Sequence, residues 1–368
     1  MSAPRLSVII PTVNEARTLP ALLGQLRAQR GVELEILVAD GNSSDGTQTI
    51  ATELGARVIP VPQRGRGAQM NQAAGLARGE MLLFLHADSG LPHAELLKNG
   101  LARFDAARAR LTENPRRRTP RSGGDGELPP SIRWEERLAG HFTIHFVDPP
   151  FRPPRILAWF EAKSALDRPE CIFGDRGMLI SKRFFDALGG FAEERPFLED
   201  VDFAARVARN GLWITLPGQI ETSARRFRKE GYVKRALLNG LILAAWHAEF
   251  STFLAAAPAL YRSQDTTAPL RLLPFLRLIR QHDGQENSWI VWRRWYRMTR
   301  FMRRSLLWQG FYLVDLLATP LRPAGIHPLL LLNDRLLSPL LDLTPLDLLL
   351  TPLVRGLVRM FTWMDKTR

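Results

Sequence analysis

The chain has 368 residues, 45% hydrophobic and 24% charged, which excludes a disordered or collagen-like polypeptide and leaves room for one large domain with an appendage. The 50 Lys and Arg against 37 Asp and Glu give a net charge of +13, favouring anionic partners such as nucleoside diphosphates, acidic lipid headgroups or nucleic acid without choosing among them. The single cysteine, Cys171, excludes an internal disulfide framework and a cysteine-rich zinc site, and reads as a small apolar side chain in a reducing compartment.

The first residues carry no basic-then-apolar leader, so a cytoplasmic location is expected, peripheral on the inner face of the membrane if the tail described below engages lipid. From residue 6 to about residue 104 the pattern alternates, with strands over 6–10, 34–39, 57–59 and 81–85 and helices over about 17–29, 47–54 and 67–77. Such alternation means βαβ units and a parallel sheet. Thr18-Leu19-Pro20 suits the start of the first helix, and Asp45-Gly46-Thr47 a cap and turn into the second. Residues 108–131 are rich in Arg, Gly and Pro with almost no apolar periodicity, and are expected to form a mobile insertion. Beyond it, 141–147 alternates like a half-buried strand and 156–166 suits a helix. Glu199-Asp200 opens a further helix leading to a strand over 213–216, so a mixed sheet is expected.

Two units follow from this reading, residues 1–235 as an α/β domain and 236–368 as a Leu- and Arg-rich helical appendage punctuated by prolines. Its apolar stretches, 236–260 and 327–361, are interrupted by Asn239, His247 and Glu249 and by Asp334, Asp342 and Asp347. Neither supplies the ~20 clean apolar residues of a spanning helix. Val291, Trp295, Met298, Met302 and Leu306 share one helix face, and Arg293, Arg297, Arg300 and Arg304 the opposite one. One reading is a surface helix docked on its own domain; the other is an interfacial helix on an anionic membrane.

Chemistry concentrates at strand ends. The first strand runs into Pro11-Thr12-Val13-Asn14-Glu15 and the second ends on Asp40, the layout of a nucleotide pocket beyond the carboxyl ends of a sheet. Asp88 closes the apolar run from Leu82, where a divalent cation and a diphosphate could meet; a turn cap is the plain alternative. Arg64-Gly65-Arg66-Gly67 offers flexible backbone and two guanidinium groups for phosphates. Glu199-Asp200 reads either as a helix cap or as a general base that deprotonates an acceptor hydroxyl.

Taken in order, Ser7–Glu15, Val38–Thr47, Arg64–Asn71, Phe84–Ser89, Gly174-Asp175-Arg176-Gly177 and Leu198-Glu199-Asp200 resemble the family 2 glycosyltransferases of GT-A fold, and more narrowly the bacterial group labelled selenodomain-associated transferase type 2. The resemblance covers about residues 5–235 and implies an α/β, Rossmann-like, mostly parallel mixed sheet flanked by helices. It implies an inverting transfer of a sugar from a nucleotide-diphosphate donor to an acceptor hydroxyl; the sequence leaves the acceptor open, a lipid or a cell-envelope precursor being one option. Pro11, Asn14, Glu15 and Asp40 would surround the nucleoside, Glu15 near the ribose and Asp40 accepting from the base. Asp45 would support that loop, with Arg66, Asn71, Arg225 and Arg226 on the donor side. Asp88 would bind Mg²⁺ or Mn²⁺, Gly174 and Asp175 would line the acceptor side, and Asp200 would be the base with Glu199 beside it. Two departures stand out: His86-Ala87-Asp88 replaces the usual Asp-x-Asp, and Phe227 replaces the expected Trp of the basic-aromatic segment at 223–227.

A nucleotidyltransferase is disfavoured, because such enzymes open with a Gly-rich, basic phosphate loop where this chain has Pro11-Thr12-Val13-Asn14-Glu15. A non-catalytic scaffold binding membrane or nucleic acid through the basic tail gives no reason for Asp88 and Glu199-Asp200 together, and nucleic acid is not the expected partner.

Overall fold

All seven residues of the first strand, β1 (Leu6–Thr12), are buried, the mark of a strand covered on both faces. A computed structural model of the chain describes residues 4–62, 65–113, 128–129, 131–148, 151, 154–194, 197–262, 264, 269–318 and 325–364. After β1 come α1 (Leu19–Arg27), β2 (Leu34–Asp40), α2 (Thr47–Glu53), β3 (Arg57–Pro60), α3 (Arg66–Leu76), β4 (Met81–Phe84) and α4 (Leu96–Glu113). Then follow β5 (Leu138–Val147), α5 (Arg155–Ser164), β6 (Met178–Ser181), α6 (Lys182–Ala187), α7 (Glu199–Asn210) and β7 (Leu212–Ser223).

The strands form one sheet in the order β3-β2-β1-β4-β6-β5-β7. Pairing is parallel from β3 to β4 and between β5 and β7, while β6 runs antiparallel to both its neighbours, so the sheet is mixed and mostly parallel as expected. Alternate residues of each strand serve opposite cores. Leu6, Val8, Ile10 and Leu83 pack with Leu22 and Leu26 of α1 and Leu97 and Phe104 of α4. Ile9, Leu82 and Phe84 face the other way, against Met70 of α3, Phe184 of α6 and Phe203 of α7. In that second core Phe191 meets Phe84 edge-on at 5.0 Å and Phe203 at 4.6 Å, which ties the loop before α7 to the end of β4.

Two elements are longer than expected. β7 extends well past residue 216, because from Thr143↔Gln219 to Val147↔Ser223 it pairs in parallel with β5 after a register shift; exposed Pro217-Gly218, which read as a turn, interrupt the alternation that would have revealed it. α4 runs on to Glu113, since Ala107 and Leu111 continue the buried stripe begun by Leu101 and Phe104. The remainder of the expected insertion, 114–127 and 130, lies outside the described residues, as does Arg64.

Contacts divide the chain into Met1–Arg225 and Arg226–Arg368. The second unit is helical throughout its described residues, opening with α8 (Arg225–Glu230) and α9 (Tyr232–His247), ahead of the expected boundary at 236. It continues with α10 (Ser251–Arg262), α11 (Leu273–Asp283), α12 (Ser288–Leu317), α13 (Pro328–Leu332), a π-helical turn Asn333–Leu337, α14 (Ser338–Asp342) and α15 (Leu346–Met364). In α12, Val291, Trp295 and Met298 are buried, as a docked helix requires. Three of the four arginines expected to face lipid are instead paired within the unit: Arg297 with Glu249 at 2.5 Å, Arg300 with Asp342 at 3.5 Å, and Arg304 also with Asp342; Arg293 is exposed.

Candidate active site

In the sheet, β1 lies between β2 and β4, and the chain reverses its direction of travel there by crossing from β3 to β4. The crevice beyond the carboxyl ends of β1 and β4 is therefore the natural ligand site of this topology. Pro11 and Thr12 finish β1 on one side of it, and Leu85-His86-Ala87-Asp88 follow β4 on the other, with the Leu85 amide still donating to the Ile9 carbonyl at 3.0 Å.

The loops after β1 and β2 are stitched together by side chains. The Asn14 amide donates to Ser43 Oγ at 2.8 Å, and Asn14 Oδ1 accepts from the Ser44 amide at 2.9 Å; φ of 57° at Asn14 is one an asparagine tolerates. Asp45 accepts from the Ala16 amide at 3.1 Å and from the Thr47 amide and hydroxyl, so it supports this loop pair and enters α2 as a local cap. Its carboxyl is held below the usual range chiefly by the Thr47 hydroxyl. Glu15 is half-buried; its carboxylate accepts from Thr18 Oγ1 and its amide donates to Thr47 Oγ1 at 2.9 Å.

Asp40 is fully buried and accepts four hydrogen bonds: Oδ1 from Thr12 Oγ1 at 3.0 Å and Ser43 Oγ at 2.5 Å, Oδ2 from the Ser43 amide at 2.9 Å and Gln48 Nε2 at 2.6 Å. A carboxylate has about four lone-pair sites, so Asp40 has none left for a base and acts beneath the loop, shaping it. Burial alone would raise its pKa; the hydrogen bonds from Ser43, Gln48 and Thr12 outweigh that and hold it low. A depressed folded-state value adds stability above the unfolded pKa near 3.9, lost as pH falls through the folded value. Asp40→Asn sets an amide NH₂ against these donors, and urea unfolding at neutral pH should show a loss of about 3 kcal/mol. The difference from wild type should shrink in acid; an unchanged difference there would reject the ionised scaffold role.

Gln69 was not expected from the sequence. Buried on α3, it donates to the Thr12 carbonyl at 2.8 Å, and a Cβ on Gly41 would lie 2.3 Å from its amide nitrogen, so the pair fixes the floor of the crevice. Asn71, expected on the donor side, uses its amide elsewhere: Nδ2 donates to the Phe191 carbonyl and to Glu193 at 2.9 Å each, and Oδ1 accepts from the Phe191 amide at 2.8 Å. It anchors the loop that leads toward α7.

That loop ends on Leu198, whose φ of 64° and ψ of 20° put a bulky residue in the left-handed region directly before Glu199-Asp200. Strain of this kind persists where surrounding structure over-determines a functional geometry. Glu199 and Asp200 are 2% and 9% exposed. Glu199 pairs with Arg66 Nε at 2.8 Å, and Arg66 Nη1 lies 3.4 Å from His86 Nε2, so one guanidinium spans the first turn of α7 and the segment after β4. Burial opposes the Arg66 charge, but Glu199, then Asp200, Asp175 and Asp88, more than compensate and hold it firmly protonated. Burial first, then Asp200, pushes the Glu199 carboxyl up against the pull of Arg66.

Asp200 is held by two backbone donors, the Gly174 amide on Oδ2 and its neighbour Val201 on Oδ1, each at 2.8 Å. A Cβ on Gly174 would sit 2.6 Å from His86 Nε2 and 3.3 Å from Asp200 Oδ2, so a larger residue there would push both side chains aside. Next to it, Asp175 is pushed up to about 6 by burial, opposed by Arg176 and reinforced by Asp200 and Asp88, and its Oδ1 is buried with no hydrogen-bond partner among the described residues. Arg176, missed by sequence reasoning, is 3% exposed and stacks over Phe173 at 5.6 Å. Asp88, Asp175, Glu199 and Asp200 thus share one electrostatic centre with Arg66, while Arg225 opens α8, exposed, and Arg226 belongs to the second unit, where its charge acts on Tyr261.

A family model for glycosyl transferase family 2 matches residues 7–146. The uncharacterized protein MT1568 of Mycobacterium tuberculosis (strain CDC 1551 / Oshkosh) is 34% identical over 253 residues, covering 66% of this chain and 75% of its own. Residues 7–146 of the chain carry a glycosyl transferase family 2 domain. Among the relatives, the PGL/p-HBAD biosynthesis glycosyltransferase of Mycobacterium bovis (strain BCG / Pasteur 1173P2) is 41% identical over 103 residues, 26% of this chain and 40% of that relative, so the chain spans less than half of its length. Among solved structures, S. aureus TarS 1–349 aligns with a TM-score of 0.47 at 17% identity, covering 83% of this chain and 86% of that one.

Proposed function

We propose that this chain transfers a sugar from a nucleoside-diphosphate donor to an acceptor hydroxyl, with inversion at the anomeric carbon. The observation that carries the reading is the arrangement at the crevice between the ends of β1 and β4, where Arg66 pairs with Glu199 at 2.8 Å and lies 3.4 Å from His86 Nε2, beside Asp200 fixed by the Gly174 amide at 2.8 Å. The family 2 domain and the glycosyltransferase named among its relatives agree with it.

The stitched loops 12–16 and 40–47 would receive the nucleoside, and Arg66 would address the diphosphate from the first turn of α3. Asp200, fixed by two backbone donors, would take the acceptor proton as the acceptor oxygen attacks the anomeric carbon and the bond to the diphosphate breaks. Glu199, paired with Arg66 Nε at 2.8 Å, would position that guanidinium.

The family resemblance implies a divalent cation. Among the described residues no group of three or more His, Cys, Asp and Glu is placed to hold one. Exposed Asp88 and the orphaned Oδ1 of Asp175 are hard oxygen donors, a set that fits Mg²⁺ or Mn²⁺ completing its shell with substrate phosphate oxygens, and does not fit a resident structural metal. Asp88 would hold it, and when bound it would offset charge on the departing diphosphate.

Calorimetric titration with UDP-, GDP- and TDP-sugars, with and without Mn²⁺, tests this. One donor should bind, and Asp88→Ala or removal of Mn²⁺ should weaken it at least about tenfold. No donor binding by the wild type in either condition would sink the reading.

A further inference from the structure

Helices of a water-soluble unit turn apolar residues inward and polar ones outward. The last helix of this chain does the reverse, and the C-terminal half of α12 buries Arg303 and Asp315 beside Trp308 and Tyr312 while exposing leucines. On α15 the inward positions are Asp347, Thr351 and Thr362, at most 2% exposed, while Leu349, Leu353, Leu357 and Phe361 face out at 52–65% exposure. On α12, Arg303 and Asp315 are buried and Leu306, Leu313 and Leu317 are 46–74% exposed. Between them Asn333 is buried, and Leu336, Leu340 and Leu343 are 54–87% exposed.

Several of the inward polar groups are matched to one another. Arg303 reaches Asp347 and Asp342 at 2.6 Å each, Arg280 donates to Thr362 at 2.7 Å, and Asp315 accepts the Leu329 and Leu330 amides at 3.2 and 2.8 Å. Satisfying polar groups internally and presenting hydrocarbon outward is what a bilayer demands of a protein. No single described helix is long and apolar enough to cross one, but Pro328–Asp342 and Leu346–Trp363 together pass that test as a pair bent by 85°. A bend of that size suits an insert that enters and returns along one leaflet.

Charge chooses between a bilayer and a second copy of the chain as the occupant. Residues 226–368 hold 21 of the 50 basic residues and 10 of the 37 acidic ones, so nearly all of the +13 lies in this unit. Like-charged copies repel, whereas anionic headgroups attract such a surface. Trp289 and Trp363, 65% and 63% exposed, bring the amphipathic rings favoured at a membrane–water boundary, and the exposed Arg335 and Arg359 are long enough to reach headgroups. We propose that the second unit is embedded in an anionic bilayer through the outward faces of α12 to α15, as a bent insert and not as a crossing.

The test is flotation of the full chain, purified in mild detergent, with vesicles of phosphatidylcholine alone or mixed with phosphatidylglycerol. The expected result is flotation that is stronger on the anionic vesicles and survives high salt once bound, with Trp emission quenched by brominated acyl chains. Leu353→Asp combined with Leu357→Asp should lower partitioning at least about tenfold, because charge on the lipid face is costly, while circular dichroism stays unchanged. Equal flotation of this variant, or release of wild type by salt, would replace insertion by surface adsorption and overturn the proposal. So would failure of the wild type to float together with a dimer, formed without lipid, that the same two substitutions abolish.

Discussion

Asp200→Asn is expected to lower turnover by about 10²–10⁴-fold, the usual range for loss of a general base, with donor affinity within about twofold of wild type. The two neighbouring carboxylates occupy different environments, which divides their roles. Glu199 is 2% exposed and committed to Arg66, so it has little surface to offer an acceptor; Asp200 is 9% exposed and held in orientation by the Gly174 and Val201 amides. Asparagine keeps the size and one acceptor oxygen but cannot take the proton. Single-turnover rates with the donor found by calorimetry, beside its dissociation constant, separate the two effects. Retention of more than about a tenth of wild-type turnover would remove Asp200 as the base. Glu199→Gln, which weakens the hold on Arg66, should act differently, raising the donor dissociation constant along with any fall in rate.

The first half of the chain is legible because its signals agree: apolar runs of strand length, turn residues at their ends, and carboxylates where a parallel sheet opens to its ligand. Asp45, Glu199 and Asp200 could be singled out since a short acidic residue at a strand end or helix start has few purposes. Which purpose it serves depends on neighbours distant in sequence. Asp40 reads as a ligand-binding acceptor until Thr12, Ser43 and Gln48 are seen to fill its lone pairs, and Asn71 reads as a donor contact until its amide is found on Phe191. Gln69 lies inside the Arg64–Asn71 motif, but nothing in the sequence separates it from the other polar residues of that helix, Asn71 and Gln72. The tail is harder for a different physical reason. Periodicity shows that a helix has two unlike faces and says nothing of which one meets solvent. Asp342 and Asp347, which look like interruptions of an apolar stretch, are the inward counter-charges of Arg303, and Leu343 between them lies on the outer surface.

Arg303→Met should therefore strike the core of the second unit. It removes the guanidinium that pairs at 2.6 Å with each of Asp342 and Asp347, side chains 14% and 2% exposed, and leaves the more deeply buried one, Asp347, without its strongest partner. Breaking a buried pair in this way costs about 3–5 kcal/mol, most of it the penalty of the carboxylate left behind. Six of the nine tryptophans, Trp246, Trp289, Trp292, Trp295, Trp308 and Trp363, lie in this unit, so denaturant unfolding followed by tryptophan emission reports chiefly on it. Replacing both partners, Arg303→Met with Asp347→Leu, removes the uncompensated charge and should recover much of the loss, a coupling that a double-mutant cycle measures directly. A single variant costing less than about 1 kcal/mol would place the pair in the class of solvated surface bridges. The polar interior would then be wet, the inversion of α15 would lose its energetic basis, and the lipid-facing assignment of the leucines opposite would fall with it.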